Sequence, residues 1–285
     1  MKSRNLLYFS LILCTFINNT YAKEKESNNT LQAQSMLSVL YAQSSAEYEA
    51  SNLQTYINAK SSLDKALNDS NWTAALEQKN NFDEKPPAVI LDIDETVLNN
   101  IPFQARAIIN GQSYPTGWVE WMLEESSDAV AGASDFLNYA HSKDVKIFYV
   151  TNRIALTEEA TRNNIIKLGL PLDTDRDVLL MKNENDWTSD KVSRRELIAK
   201  DYRILLLVGD QLGDFLPLDE TTLEPSSRKH LVSSYNHMWG SKWFMITNPM
   251  YGRWEASIYN NEYPDTEDEI MQMRLEALEL KDKTN

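Results

Sequence analysis

The sequence predicts an α/β fold built on a doubly wound parallel sheet, and three observations carry that expectation. Predominantly apolar runs recur at 88–91, 145–150, 178–181 and 203–208, without the polar alternation of a half-exposed strand. Segments with helical spacing separate them, so strands and helices alternate along the chain. Three of the runs stop at acidic or hydroxyl residues, as expected where an open α/β sheet offers its ligand site beyond the carboxyl ends of its strands.

Residues 1–22 read as a targeting segment. Lys2 and Arg4 supply a positive start, 6–17 is mostly apolar, and Thr20-Tyr21-Ala22 offers small residues where a signal peptidase reads. The apolar run is too short for a membrane span. The expectation is therefore an exported protein, periplasmic or secreted, with no transmembrane span. The only cysteine, Cys14, follows Leu13 rather than the small residue of a lipidation signal, so no lipid anchor is expected. Cleavage after Ala22 would leave no cysteine, excluding disulfides, thiol nucleophiles and cysteine metal sites. Of 28 Lys and Arg against 42 Asp and Glu, that cleavage removes only Lys2 and Arg4, leaving 26 basic residues and a formal charge of about −16. So acidic a chain suits no nucleic acid polymer, whereas a small phosphorylated substrate needs only a metal and local cations.

Residues 23–85 are expected as an N-terminal helical segment. Over 30–68, Leu37, Leu40, Tyr41, Ser44 and Tyr48 keep helical spacing, and Leu53, Ile57, Leu63 and Leu67 keep it less regularly, with no Gly or Pro between. The main α/β core is expected over 86–250, entered through Pro86-Pro87 into the strand Ala88–Leu91. Residues 99–128 show no regular period; Ile101-Pro102 and Tyr114–Gly117 break them, and Trp118 and Trp121 follow. A helix is predicted over 134–142, then a strand over 145–150. Next comes a helix capped by Thr157, with Glu158 and Glu159 in its first turn, ended by Gly169 and Pro171. A strand at 178–181, a helix at 189–200 capped by Ser189, the strand 203–208 and a strand at 243–246 complete the core. The C-terminal segment, 251–285, ends in an amphipathic helix reaching about Leu280 and opened by a capping box, Thr266 with Glu269. The helices of the two terminal segments are expected to pack together as a second layer.

Polar chemistry gathers at the strand ends. Asp92 and Asp94 follow the first strand, Thr151 the second, and Asp210 with Asp214 the strand 203–208, while Lys191 opens the helix before it. Read blandly, each is an acidic turn or a strand end. Taken in order, D-x-D-x-T, then Thr, then Lys, then paired acids, they resemble the haloacid dehalogenase (HAD) superfamily of phosphohydrolases. That resemblance implies that Asp92 attacks phosphorus and that Asp94 donates and accepts the proton. A phosphate ester repels an anionic nucleophile, so a hard cation with oxygen ligands is expected to bridge them. Mg2+ on Asp92, the backbone carbonyl of Asp94 and Asp210, with Asp214 completing or orienting that shell, suits this requirement. Lys191 and Thr151 would meet the phosphoryl oxygens, with Lys182 competing for the lysine's role. Asp94 must gain and lose a proton in turn, so its neighbours are expected to raise its pKa. His141, His230 and His237 lie scattered without ligand spacing.

Longer blocks narrow the resemblance. Ala42–Tyr48, Trp118–Trp121, Phe148–Arg153, Gly209–Phe215 and Asn248–Glu255 are similar to the bacterial class C acid phosphatases. The likeness implies an exported Mg2+-dependent homodimer that dephosphorylates nucleoside 5′-monophosphates and clamps the nucleobase between aromatic rings. Asn152 and Arg153, within these blocks, are candidate substrate-binding residues. So are Trp118 and Tyr251, aromatic residues placed on loops near the strand ends. A phosphotransferase sharing the phosphoaspartyl intermediate stays open as an alternative. A silent storage or ligand-binding relative would lack the nucleophile, and here Asp92 is present with all its partners.

Overall fold

The computed structural model describes residues 34–280. The targeting segment expected at 1–22 lies outside them. The strands are β1 (Pro87–Leu91), β2 (Leu98–Asn99), β3 (Asp128–Ala129), β4 (Lys146–Ile154), β5 (Leu179–Lys182), β6 (Arg203–Gly209) and β7 (Trp243–Met245). Five form one parallel sheet in the order β5-β4-β1-β6-β7, and β2 pairs antiparallel with β3 beside it. The doubly wound α/β expectation holds. From β1 the chain fills one side of the sheet with β4 and β5, then crosses to the other with β6 and β7. The crevice of that switch point lies beyond the carboxyl ends of β1, β4 and β6.

The strand residues explain the layers. In β1, Val89 and Leu91 join one apolar cluster while Ala88 and Ile90 join the other. A strand buried on both faces has no solvated side to encode, hence its unbroken apolar run. The first cluster takes side chains from α2 (Ala46–Leu67), preceded by α1 (34–44), and, after α3 (Ile101–Asn110) and α4 (Trp118–Leu123), from α5 (Ala133–Ser142) and α6 (Glu158–Lys167). The second is closed by α7 (Val192–Asp201) and the segment around Met238 and Trp243. Among the described residues no helix is long and apolar enough to cross a membrane.

Several local expectations are corrected. The N-terminal helix is two helices, because Ser45 adopts extended geometry and its hydroxyl accepts Tyr48 N, starting α2. Its buried seam is Tyr48, Asn52, Tyr56, Ala59, Leu63 and Ala66, whereas Leu37, Leu40, Tyr41, Leu53 and Ile57 are exposed. Tyr56, Ala59, Leu63 and Ala66 lie against the sheet, and the Tyr56 hydroxyl donates to Thr96 O at 2.7 Å, so apolar periodicity marked the packed face only in part. Region 99–128 contains α3 and α4: Pro102 sits in the first turn of α3, where its missing amide costs nothing. The Thr157 hydroxyl donates back to Ile154 O rather than capping α6. Ser189 does not cap α7, which starts at Val192; the Asp190 carboxylate accepts the Val192 amide instead.

After β6 come α8 (Leu218–Thr221), α9 (Pro225–Ser234), α10 (Arg253–Ala256) and α11 (Glu267–Glu276). Thr266 caps α11 as its spacing predicts, accepting Glu269 N, but α11 ends at Glu276 and buries no residue. The terminal helices meet where Arg274 donates to Gln34, while α2 itself lies on the sheet beside α5.

Candidate active site

Three carboxylates converge at the switch point. Asp92 directly follows β1, its amide held by Val208 O at 3.0 Å. Asp210 and Asp214 lie in the turn leaving β6. One oxygen from each lies within 4.8 Å of the others. The turn is folded around its own polar atoms: Gln211 N donates to Asp214 Oδ2, and Asp210 Oδ2 accepts Asn248 Nδ2 at 2.8 Å and Gln211 Nε2 at 2.9 Å. Gly209 permits it, since a Cβ there would meet the Asp214 carboxylate at 2.2 Å. Lys191, the residue before α7, donates to Asp92 Oδ1 and, at 2.6 Å, to Asp214 Oδ1. Lys182 ends β5 in register with Ile154, so Lys191 is the lysine on the carboxylates.

The balance of charge is the site's dominant property. Three carboxylates face one ammonium, all four less than a tenth exposed, which leaves two negative charges uncompensated if every group ionises. Burial pushes Asp92 well above the usual carboxylate range, and Asp214, Asp210 and Asp94 add to it against the pull of Lys191. Burial, then Asp214, pushes Asp210 up to about 7 despite the donors Asn248 and Gln211. Burial works to lower Lys191, yet Asp214 and Asp92 outweigh it and hold the ammonium above the ordinary lysine value. Burial leads the two carboxylate shifts, and the neighbouring carboxylates add to both and hold up Lys191. An all-oxygen donor set with two charges to neutralise fits a hard divalent cation.

Asp94 takes another direction. Ile93 O collects the amides of Thr96, Val97 and Leu98, and Glu95 adopts a left-handed φ of 57°, so the chain turns sharply after the strand. The Asp94 carboxylate then faces Arg153 Nε at 2.9 Å and Asn100 Nδ2 at 2.9 Å.

The remaining candidates divide. Thr151 is fully buried near the end of β4, its hydroxyl accepting Arg153 N at 3.0 Å. Arg153 is 1% exposed and spends its guanidinium on Asp94, Thr161 and Asn100, so it braces Asp94 rather than presenting itself to a ligand. Asn152 is exposed but tied to Ser189 O and to Arg194. Trp118 opens α4 rather than lying in a loop; half-buried, it packs on Phe103 with ring centroids 5.0 Å apart, and the Arg153 guanidinium lies 5.8 Å from its ring. Tyr251 does lie in a loop, half-buried against the apolar cluster of Val39, Ala42, Tyr48, Ile101 and Met250, and its carbonyl accepts Gln211 Nε2.

Sequence reasoning missed Glu95, Asn100, Arg194 and Asn248. Glu95 is fully buried; burial, then Asp94 and Asp210, pushes it well above the usual range. Arg194 joins the Thr151 carbonyl to the loop carrying Lys191. Glu95 and Asn248 stand inside recognisable blocks, and their neighbours could have flagged them. Asn100 and Arg194 carried no local signal.

The model of the HAD superfamily, subfamily IIIB (acid phosphatase), matches residues 13–254. The class C acid phosphatase from Bacillus anthracis superposes at a TM-score of 0.77 with 32% identity, over 88% of this chain and 99% of that one. Its tungstate-bound form gives the same TM-score and coverage at 31% identity. The stem 31 kDa glycoprotein of Glycine max is 26% identical over 168 residues, 57% of this chain and 58% of its own length. A match across most of the chain, on a sheet whose strand ends gather the expected acids, leaves one assignment: the chain belongs to the acid phosphatases of HAD subfamily IIIB, and with them to the phosphomonoesterases.

Proposed function

We propose that this acid phosphatase is exported, depends on Mg2+, and hydrolyses nucleoside 5′-monophosphates through a phosphoaspartate on Asp92. The observation that carries the reading is the buried cluster of Asp92, Asp210 and Asp214 around Lys191, with its two surplus negative charges. Asp92, the backbone carbonyl of Asp94, Asp210 and Asp214 would hold the cation, which when bound offsets that charge and polarises the phosphoryl group.

An oxygen of Asp92 attacks phosphorus, the ester P–O bond breaks, and the departing oxygen takes its proton from Asp94. Asp94, now a carboxylate, takes a proton from water as the water oxygen attacks phosphorus. The acyl phosphate P–O bond breaks, inorganic phosphate leaves, and both aspartates return to their starting states. Lys191 and Thr151 stabilise phosphoryl oxygens as charge redistributes.

The nucleotide reading is supported by two half-buried aromatic residues that contact the groups bracing the site's acids. Trp118 lies over the Arg153 that braces Asp94, and the Tyr251 carbonyl meets the Gln211 that braces Asp210. A homodimer belongs to the same reading and is supported by the exposed Leu37, Leu40, Leu53 and Ile57 on α1 and α2.

A panel of phosphomonoesters assayed with and without Mg2+ tests the reading, together with Asp92→Asn. That variant should keep its fold and lose turnover; substantial residual activity would sink the phosphoaspartyl mechanism. Export is checked by mass spectrometry of protein from its host, with an unacylated amino terminus at Lys23 as the expected result.

A further inference from the structure

Asn100, the last residue before α3, lies in the stretch where the sequence shows no regular period. It is fully buried, yet its side chain sits among six polar partners, the Leu98 carbonyl at 3.4 Å included. Its Oδ1 accepts Trp121 Nε1 at 2.8 Å, Ser127 Oγ at 3.0 Å and an Arg153 nitrogen at 3.3 Å. Indole and guanidinium nitrogens only donate, so the oxygen of the amide must face them and its NH2 must face the other way. That NH2 donates to Asp94 Oδ1 at 2.9 Å, with Glu95 Oε2 at 3.5 Å beside it. The Asn100 amide in turn donates to Glu95 Oε1 at 2.8 Å, which anchors the backbone carrying the side chain.

Arg153 reaches the same oxygen of Asp94 with Nε and a terminal nitrogen, both at 2.9 Å. Oδ1 is therefore held from two directions. Among the described residues, nothing hydrogen-bonds Oδ2 of Asp94. One oxygen is pinned and the other is left for the proton.

We infer that Asn100 is a positioning residue, whose amide is aimed by Trp121, Ser127 and Arg153 so that it fixes the carboxylate of Asp94 with Oδ2 towards the substrate's leaving oxygen. The inference rests on the reading of Asp94 as the proton donor and acceptor. A general acid must lie within hydrogen-bond reach of the atom it protonates. An unpinned aspartate turns about two side-chain bonds and spends much of its time elsewhere. Arg153 holds Oδ1 from one side and the Asn100 NH2 meets the same oxygen from another, so removing Asn100 leaves the two side-chain torsions held from one direction only.

The test uses leaving groups. An alkyl phosphate needs its departing oxygen protonated, whereas 4-nitrophenolate leaves without help. Asn100→Asp keeps the acceptor for Trp121, Ser127 and Arg153 but turns the donor facing Asp94 into a second carboxylate oxygen. Asn100→Ala removes the contact without adding charge and serves should the aspartate variant fail to fold. The quantity read is kcat/KM, which covers the steps up to transfer onto Asp92.

Either folded variant should lose about 100-fold on glycerol phosphate and less than about tenfold on 4-nitrophenyl phosphate, with inhibition by inorganic phosphate unchanged. Equal losses on both substrates, or none on either, would overturn the inference, because a residue that only supports the fold cannot tell leaving groups apart. Asp94→Asn, assayed alongside, separates the two levels. If it discriminates between the substrates and the Asn100 variants do not, the positioning role alone fails; if it does not discriminate, the acid–base reading fails first.

Discussion

Lowering the pH from 7 to 5 should weaken Mg2+ binding about 50-fold. Asp210 is pushed up to about 7 by burial and by Asp214, so below that pH a proton occupies a carboxylate the cation needs. Displacing one proton per cation costs about 1.4 kcal/mol per pH unit well below the pKa, and with half the groups already ionised at pH 7 the two units cost about 2.3 kcal/mol. Asp92, raised in the same direction, steepens the dependence if it also protonates. The sign for the metal-free protein follows from the same shift. The native state holds this proton more tightly than the unfolded chain, so the stability it contributes is full below the ordinary carboxyl value and lost as pH rises through about 7. Mg2+ should therefore raise the melting temperature much more at pH 8 than at pH 5. Titration calorimetry at pH 5, 6, 7 and 8 reads the affinity directly, with Asp210→Asn as the control that should bind weakly throughout. A wild-type affinity that stays flat between pH 5 and 7, or an Asp210→Asn variant that binds like wild type, would refute the reasoning.

Other consequences concern single contacts. Gly209→Ala places a Cβ 2.2 Å from the Asp214 carboxylate and should cost at least about tenfold in Mg2+ affinity while circular dichroism stays native; unchanged affinity would mean that Asp214 does not serve the cation. Tyr56→Phe removes the donor to the Thr96 carbonyl at 2.7 Å and should lower the stability read by denaturant unfolding by about 1–2 kcal/mol, a value near zero counting against that tether. A nucleobase stacked on an aromatic ring gains about 1–3 kcal/mol, so Trp118→Ala or Tyr251→Ala should raise KM for a nucleotide about tens-fold and barely change it for glycerol phosphate. Equal losses on both substrates would assign those rings to packing.

Much of this site was legible because its acids stand at strand ends, and strands buried on both faces announce themselves. Val89 to Leu91 and Ile204 to Val208 can be apolar only because helices cover both sides of the sheet, and Asp92 and Asp210 mark where that cover stops. The helices were harder to read. In α2 the buried seam includes Asn52, Ala59 and Ser62 beside Tyr48 and Leu63, while Leu53 and Ile57 face solvent, so the period of large apolar residues marked only part of the buried face. Caps failed where a nearby side chain offered a better bond, as Asp190 does to Val192 in place of Ser189.

The sequence by itself determined the alternation of strands and helices, the order of acids, threonine and lysine along them, and the surplus of acidic residues, because each is a property of the chain read locally. It left undecided which acid meets which base. Asp92 and Asp94 stand two residues apart, yet one faces Lys191 and the other faces Arg153 and Asn100. That divergence is made by Ile93, whose carbonyl gathers three amides and turns the chain, and by partners 59 and 6 residues from Asp94. Such pairings form when separate segments are buried together and their polar groups must find partners away from water. Local periodicity carries no record of that requirement, and only the closed fold decides it.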